Sequence, residues 1–600
     1  MKRTRLLALL AVLAMVVAAC GGGDVDGTTT TGEGGATTTS VDSTEPTEPP
    51  TGGGAGEGGN LLLLQWQAPS QANALLSTGT KDLLASSLVL EPLAEFNAAG
   101  EVVPALAAEV PTQENGGISE DLTQITWTLQ EGIVWSDGTP LTADDAVFTW
   151  EYCSDAATGC STNSYQGVTS VEAIDDLTIQ VTFENPTPYP FVPFVSYINP
   201  VIQRAQFADC VGAAAVGCSE QNFAPIGTGP YMVSELRPED TVLYDINPNY
   251  RGFDEGKPFF GTIEIKGGGD AESAARSVLE IGEADYAWNL QVAPEILGPM
   301  EATGIGTIFA GFNSSVEHIN LNQTDPDGDP PSDYQEGNNP NPVFFENTVL
   351  HDALSLAINR EEIVAVGYGP AGEPTCNIWP VEGAVSTNND DICTQDLEAA
   401  NALLDDNGYV DTDGDGVRET PDGVPLEFDY VTSTNAVRQS EQDLIAVYWE
   451  QIGVATNMRN EDASLFFDGT AASDASIWKF FTDIQMYTNS SAGPDAQGYL
   501  QDWRCESIPE STNSWGGGNV VRLCNEEFDA LHDQLSGTAL DDPARSELVI
   551  QLNDIIVEYS TIPIINRASV SAFANTIQGQ GDLNGWDSEY WNIEDWTRSS

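Results

Sequence analysis

Residues 122–152 change from one hydrophobic period to another, and this change constrains the fold more than any other feature of the chain. The first part alternates apolar and polar residues, which is typical of a half-buried strand, with apolar positions at Ile125, Trp127 and Leu129. The last part has apolar residues at the spacing of an amphipathic helix, at Ala143, Ala146, Val147 and Trp150. Gly and Pro within residues 136–140 predict a tight turn between the two parts, and Thr142 with Asp145 predicts a helix cap. The stretch thus predicts a strand, a turn and a helix, without a nucleophile and its base.

The N-terminus has the pattern of a secretion signal followed by a tether. Basic residues precede an apolar run at residues 6–19, which is too short to span a bilayer comfortably. Small residues then lead to Cys20, which resembles the acylated cysteine of a bacterial lipobox; the alternative is an ordinary signal peptide with an incidental cysteine. We predict a signal peptide at residues 1–20, a lipid on Cys20, and a Gly/Thr/Ser-rich tether at residues 21–59 that does not pack.

The chain is strongly acidic, with 92 Asp and Glu against 20 Lys and Arg and a formal net charge of −72. A surface with this excess repels phosphate backbones and anionic lipid heads, which argues against nucleic acid as a partner. Apolar residues make up 41% of the chain, which is typical of a globular protein. The acidity fits either adaptation to high salt or a preference for cationic ligands, and the sequence leaves both open.

Nine cysteines are present, and assigning Cys20 to a lipid leaves an even number after a secretion signal, which suggests disulfides. Closing the shortest loops predicts the pairs Cys153 with Cys160, Cys210 with Cys218, Cys376 with Cys393, and Cys505 with Cys524. Zinc is the competing explanation for clustered thiols. No C-x-x-C motif occurs and no histidine lies near the cysteines at ligand spacing, so we favour disulfides.

Catalytic motifs do not stand out in the sequence. The three histidines, His318, His351 and His532, lie outside recognised motifs, and there is no H-E-x-x-H, G-x-S-x-G or nucleotide-phosphate loop. Paired carboxylates cannot be ranked among 92 acids, so a carbohydrate hydrolase stays open as an alternative. We predict a protein that is not an enzyme and requires no cofactor.

Residues 411–422 match the first half of an EF-hand-like calcium loop, with Gly416 at the turn position. The candidate ligands are Asp411, Asp413, Asp415, Glu419 and Asp422. The loop departs from the usual pattern because its last ligand is the shorter Asp and a strand, rather than a helix, is predicted to follow. The alternatives are a structural calcium ion and an unoccupied acidic turn.

Several short stretches stand in a recognisable order along the chain. They are WTLQEGIVWSDGTPLTADDAVFTWEY (127–152), PIGTGPY (225–231), NPNY (247–250), AINREEI (357–363), ALL with NGY (402–404 and 407–409), and IPII (562–565). Together they resemble the family 5 extracytoplasmic solute-binding proteins, the dipeptide and oligopeptide receptors of bacterial ABC importers. The resemblance extends from about residue 62 to about residue 573.

This resemblance implies an α/β fold with two lobes, the periplasmic-binding-protein type II-like fold, with a hinge between lobes and an extra subdomain inserted in the first lobe. The implied boundaries are 60–318 for lobe I, about 91–221 for its inserted subdomain, 319–560 for lobe II, and 561–600 for a return to lobe I. Helices predicted at 394–407 and 544–559 and a strand at 426–431 fit an α/β second lobe.

In this family, an acidic residue in a loop rich in Trp, Asp and Pro holds the α-amine of the peptide, and backbone pairing tolerates different side chains. Asp495 is the matching position here, although it follows Gly-Pro where the family usually shows Asp-Pro. Tyr487, Trp478 and Trp503 are predicted to line the pocket with it; the alternative is that these aromatic residues belong to the core.

We predict a monomeric, extracytoplasmic receptor that closes two lobes around a peptide or other small solute and delivers it to the permease subunits of an ABC importer. It would contact the membrane only through its lipid. The alternatives are the carbohydrate hydrolase and a calcium-stabilised surface adhesion module.

Overall fold

Two large β-sheets form the body of the molecule, and each packs against its own set of helices. The computed structural model describes residues 54–599, apart from residues 78, 156, 159, 161–163, 166, 468–472, 492, 514 and 541. The predicted signal peptide, Cys20 and the tether up to residue 53 lie outside the described residues.

Up to residue 311 the chain forms the first lobe and a subdomain. The elements in chain order are β1 (Asn60–Leu64), α1 (Thr80–Ser87), β2 (Ala94–Phe96), β3 (Val102–Pro104), β4 (Gln124–Thr128), α2 (Ala143–Ser154), β5 (Val168–Asp175), β6 (Thr178–Phe183), α3 (Arg204–Phe207), α4 (Ser219–Phe223), β7 (Tyr231–Arg237), β8 (Thr241–Ile246), β9 (Thr262–Lys266), α5 (Ala271–Arg276), β10 (Tyr286–Ala287), α6 (Pro294–Glu301) and β11 (Gly306–Gly311).

The chain then forms the second lobe and returns to the first. The elements in chain order are β12 (Val316–Leu321), α7 (Thr348–Ala357), α8 (Arg360–Ile363), β13 (Gly372–Pro374), α9 (Leu397–Asp406), β14 (Glu427–Ser433), α10 (Ala436–Glu450), β15 (Ala455–Glu461), α11 (Ala463–Phe466), β16 (Ile484–Asn489), α12 (Ala496–Leu500), α13 (Glu526–Ser536), α14 (Ala544–Tyr559), β17 (Thr561–Arg567), β18 (Ser569–Ala574), β19 (Ile577–Gln578) and β20 (Thr597–Arg598).

The sheet of lobe I has the strand order β11-β18-β10-β1-β9-β8-β7 among the described residues. The apolar run of β1 lies near its middle, parallel to β9 and β10, and its residues Leu61 and Leu63 are fully buried. The sheet of lobe II has the order β13-β17-β12-β16-β14-β15. In that sheet β14 runs parallel to both of its neighbours, and helix α10 crosses over between β14 and β15, as a parallel pair requires.

The stretch 122–152 belongs to the inserted subdomain, as a strand, a turn and a helix. Ile125 and Trp127 of β4 are fully buried, and β4 pairs antiparallel with β6. Asp145 closes the start of α2 by accepting the Thr142 N–H at 3.1 Å. Both the alternation and the cap predicted from the sequence are confirmed.

The turn of this stretch also joins the subdomain to the rest of lobe I. The Ser136 N–H donates to the Gly227 carbonyl at 2.8 Å, so two of the stretches that carry the family resemblance are in contact. Only glycine fits at position 227, since a Cβ there would lie 1.8 Å from the Val89 carbonyl oxygen.

Two neighbouring segments carry the chain between the lobes. The first leads from β11 to β12 through residues 312–315, and the second leads from β17 to β18 through Ala568. They run side by side, because β11 pairs with β18, β12 pairs with β17, and the Arg567 N–H donates to the Ser315 carbonyl at 2.8 Å. The sheets therefore change at 312–315 and at 568, while the domain boundaries predicted at 318 and 560 stay predictions.

Four disulfides join the cysteines that are neighbours in sequence, which is the pairing that the shortest loops predict. They are Cys153–Cys160, Cys210–Cys218, Cys376–Cys393 and Cys505–Cys524. The first two pairs lie together in one small core with Tyr152 and Phe207.

Helix α14 has the bounds that its apolar pattern predicts, residues 544–559. Helix α9 begins later than the predicted start at Thr394. Its N-cap is Asp396, whose carboxylate accepts the Ala399 N–H, so the start at Thr394 was wrong.

Candidate ligand-binding cleft

Three adjoining cavities lie along the cleft between the lobes. We call them the inner cavity, of about 370 Å³, the apolar cavity, of about 110 Å³, and the outer cavity, of about 390 Å³. The inner cavity shares Arg567 and Val570 with the apolar cavity, and it shares Ile198 and Ser490 with the outer cavity. The three therefore form one continuous cleft.

The inner cavity is polar and draws its walls from all parts of the fold. Lobe I supplies Trp288 and Asn289, lobe II supplies Ser490 and Ser491, and the hinge supplies Arg567. The segment after β18 closes the cavity with further residues: Asn584, Gly585, Trp586, Asp587 and Glu589. A solute in this cavity would touch both lobes at once.

Two carboxyl groups of this cavity have unusual pKa values. Burial raises the pKa of Asp587 to about 6. The backbone N–H groups of Phe96, Ser588 and Tyr197 donate to its carboxylate and partly oppose this rise. Burial likewise raises the pKa of Glu589 to about 7, opposed by hydrogen bonds from Ser571 and Tyr286. Both oxygens of Asp587 are thus engaged in holding the subdomain to the last segment of the chain.

The apolar cavity lies on the other side of Arg567. Leu290, Val292 and Leu297 of lobe I face Val437 of lobe II across it. At its edge the Asn435 side-chain amide donates to the Gln291 side-chain oxygen at 2.9 Å, which is a direct hydrogen bond between the lobes. The described lobes are therefore in contact.

Behind the apolar cavity lies a buried cluster of charges. Arg438 donates to Glu317 at 2.8 Å, and Thr488 accepts from Arg438 at 3.0 Å and from Arg567 at 3.3 Å. Burial tends to raise the pKa of Glu317, but the Arg438 guanidinium outweighs it and holds that pKa below its usual value. Burial and the nearby charge of Glu317 raise the pKa of Glu441 well above its usual value.

Asp495 lines the outer cavity, opposite the inserted subdomain. Its carboxylate caps α12 through the Gln497 N–H and forms an ion pair with Arg545 at 2.7 Å and 2.8 Å, one contact to each oxygen. Arg545 is itself buried and also donates to the carbonyls of Leu535 and Thr538. An incoming amine would have to share the carboxylate with Arg545, and the binding role of Asp495 stays a prediction.

The predicted aromatic residues lie in or against the core of lobe II. Tyr487 packs against the His318 ring at 5.1 Å, Trp503 packs against Tyr499 at 5.0 Å, and Trp478 is partly buried against the same core. None of the three lines the inner, apolar or outer cavity. The side chains that line these cavities and that sequence reasoning missed include Arg567 and Glu589.

The predicted calcium loop is largely exposed, and none of its residues lines the three cavities. Carboxylate oxygens of Asp411, Asp413 and Glu419 lie within 4.8 Å of one another, whereas Asp415 and Asp422 are not in that group. Asp411 also accepts the N–H groups of Gly414 and Gly416, so the same carboxylates hold the turn. Calcium binding stays a prediction.

The three histidines are buried and are bonded to backbone carbonyls. The ring nitrogens of His318, His351 and His532 pair with the carbonyls of Val316, Thr561 and Gln497. Burial lowers the pKa of His318 to about 4. These rings are structural.

A family model for bacterial extracellular solute-binding proteins, family 5, matches residues 101–508, more than half of the chain. The chain belongs to this family. It is therefore a solute-binding protein of an ABC importer and not an enzyme, which sets aside the hydrolase and adhesion alternatives.

Individual relatives agree with the assignment. The chain is 23% identical over 478 residues to the glutathione-binding protein GsiB of Escherichia coli (strain K12). The aligned region covers 78% of this chain and 82% of that protein. Two solved structures are similar. The oligopeptide-binding protein AppA from Bacillus subtilis, in complex with a nonapeptide, has 20% identity and a TM-score of 0.69, and the match covers 91% of this chain and 100% of AppA. NikA from Brucella suis, in complex with Fe(III)-EDTA, has 18% identity and a TM-score of 0.71, and the match covers 90% of this chain and 100% of NikA. These structures confirm the predicted two-lobed fold.

Within the described part of this family 5 protein, no helix combines the length and the apolar character needed to cross a bilayer.

Proposed function

We propose that this family 5 protein binds short peptides by closing its lobes over the inner cavity and then presents them to the permease of its importer. One observation carries the proposal: the inner cavity takes its walls from both lobes and from the hinge. A solute held there gains its full set of contacts only when the lobes are closed, so its binding energy favours the closed state.

Peptides are the proposed substrate class because relatives with the same fold are named for peptides or for glutathione, itself a small peptide. The walls of the cleft suit such a solute, because a polar inner cavity adjoins a small apolar one. Polar groups of a peptide backbone would lie in the former and an apolar side chain in the latter.

We further propose that the mature protein carries a lipid on Cys20 and stands off the membrane on the tether that follows. The support is the sequence pattern before Cys20 and the composition of residues 21–59. Mass spectrometry of the mature N-terminus tests this: a diacylated Cys20 is expected, and an unmodified Cys20 or a cleavage elsewhere would refute it.

Small-angle X-ray scattering tests closure. With a pancreatic casein digest added, the radius of gyration is expected to fall, and glutathione serves as a second probe. Gln291→Ala, which removes the hydrogen bond between the lobes, should need more digest for the same compaction. A radius that does not respond to any digest would overturn the proposal.

A further inference from the structure

Most of the described arginines and lysines of this acidic protein are paired with carboxylates. Among the described residues, only four make no ion pair, and these are Lys266, Arg360, Arg522 and Arg567. With acids in such excess, a cation that none of them has paired is unusual.

Three of the four are explained by their surroundings. Arg360 donates to the carbonyls of Pro563, Ser355 and Cys393, and Arg522 donates to a similar set of carbonyls, so both hold the backbone of lobe II. Lys266 is exposed at the end of β9, where water solvates its ammonium group. Arg567 has neither arrangement.

Arg567 lies where the chain crosses between the lobes, and it lines both the inner and the apolar cavity. Its side chain has a single hydrogen-bond partner among the described residues, the Thr488 hydroxyl at 3.3 Å. A guanidinium has five N–H donors in a planar fork that matches a carboxylate. Most of those donors therefore remain available to a solute.

The charged groups behind the apolar cavity form no direct ion pair with Arg567 among the described residues. Glu317 is paired with Arg438 at 2.8 Å, and Glu317 and Glu441 act on Arg567 only over a longer distance. An anionic group of the solute would therefore supply the direct ion pair that Arg567 lacks.

A carboxylate with a free oxygen lies in the same inner cavity. Glu589 is 8% exposed, and one of its oxygens accepts from Ser571 at 2.6 Å and from the Tyr286 hydroxyl. Its other oxygen, Oε1, has no hydrogen-bond partner among the described residues, and Glu589 lines the cavity. Asp587, by contrast, has both oxygens bound by backbone N–H groups.

We propose that the inner cavity binds a zwitterion, with the carboxylate of a short peptide on Arg567 and its ammonium group on Glu589. This inference rests on the proposed function. The carboxylate of the solute would form a charge-assisted contact with Arg567. Its ammonium group would favour the ionised form of Glu589, whose pKa burial raises to about 7.

The backbone limits how long this solute is. Glu589 is bound to Ser571, which lies four residues after Arg567 along β17 and β18. At about 3.3 Å per residue, the Cα atoms of Arg567 and Ser571 are at most about 13 Å apart. Two to four extended residues span such a distance, so the inference names di- to tetrapeptides rather than long ones.

Native mass spectrometry with a pancreatic casein digest tests the two ends separately. The digest is used in three forms: free, acetylated at its amines, and amidated at its carboxylates. The wild-type protein is expected to capture peptides of two to four residues from the free digest, and blocking either end should lower capture about tenfold or more.

Two variants should each remove one preference. Glu589→Gln should capture free and acetylated peptides equally while still rejecting amidated ones. Arg567→Gln should capture free and amidated peptides equally while still rejecting acetylated ones. Lys266→Gln, which removes an unpaired cation outside the cleft, should behave as wild type. Asp502→Asn changes a carboxylate of the outer cavity and should keep both preferences. Thermal melting verifies that each variant is folded.

Equal capture of blocked and free peptides by the wild type would overturn the inference, as would loss of the amine preference in Asp502→Asn instead of Glu589→Gln. Scattering with the same digests separates this failure from failure of the proposed function. Compaction regardless of blocked ends would refute the zwitterion and leave the receptor intact, whereas neither compaction nor capture would refute both.

Discussion

Two acid–base arrangements lie along the same cleft and differ in what they leave unoccupied. In the outer cavity Asp495 and Arg545 are bound to each other at 2.7 Å and are both nearly buried. In the inner cavity Arg567 and Glu589 have no ion-pair partner among the described residues. A carboxylate at a cleft can therefore bind a solute only if the fold has not already paired it with an arginine or lysine.

The largest expected effect is on stability, at the ion pair of Asp495 and Arg545. Arg545→Ala leaves Asp495 buried without its cation, which should lower the free energy of unfolding by about 3–5 kcal/mol. Chemical denaturation measures it. The exposed pair of Arg204 and Glu151 is the matched control, and Arg204→Ala should cost less than about 1 kcal/mol. Equal costs for the two variants would remove the distinction between a structural and an exposed pair.

The second effect is on peptide affinity, and we expect it at Arg567 and Glu589 of the inner cavity. Arg567→Gln should weaken binding of a captured peptide about 10- to 100-fold while changing the midpoint of unfolding little, because Arg567 has one hydrogen bond to lose. Asp495→Asn should show the opposite pattern, with lower stability and affinity within about threefold of wild type. Isothermal titration measures the affinities. A large loss of affinity in Asp495→Asn would restore the role that the sequence predicted for it.

A third effect concerns the pH dependence of stability. The pKa of Glu589 is about 7 in the folded protein and near 4.5 when unfolded, so the folded state holds its proton more tightly. The stabilisation from this group is therefore fully present below about pH 4.5 and is lost as the pH rises through about 7, by about 3 kcal/mol in total.

Melting temperatures of wild type and Glu589→Gln across this window measure the effect. The wild type should lose more stability than the variant between pH 4.5 and 7, while Glu255→Gln, at an exposed position, should follow the wild type. Parallel curves for wild type and Glu589→Gln would contradict the raised pKa.

The smallest effect is expected at the acidic loop, where carboxylate oxygens of three residues lie within 4.8 Å of one another. Calcium should raise the melting temperature by a few degrees through Asp411, Asp413 and Glu419, and Asp413→Ala should abolish the rise. Asp443→Ala, an exposed helical position, should keep it. The same melting temperature in calcium and in chelator would mean that the loop is held by its own N–H groups alone.

Much of the fold could be predicted from the sequence because its signals are local. The alternation around Trp127 and the apolar stripe of α14 set burial by side-chain periodicity, and the near-neighbour cysteines make the shortest loops the simplest pairing. Where the local signal was ambiguous, as with Thr394 and Asp396 at the start of α9, the prediction failed by two residues.

The binding groups were harder to predict because their roles depend on distant residues. Nothing near Asp495 shows that Arg545, fifty positions later, has paired with it. Arg567 did leave a signal, since it is the single basic residue between Arg545 and Arg598 and follows the IPII stretch after one intervening residue. Glu589 left none, because its neighbours Ser571 and Tyr286 are brought to it by the sheet of lobe I.

A crystal structure with a captured peptide would test the central claim most directly, that the cleft binds its solute through the charges the fold leaves unpaired. We expect closed lobes, a peptide carboxylate within hydrogen-bond distance of the Arg567 guanidinium, and an ammonium group on Glu589. A peptide amine bound to Asp495, with Arg545 displaced and Arg567 facing only water, would contradict it.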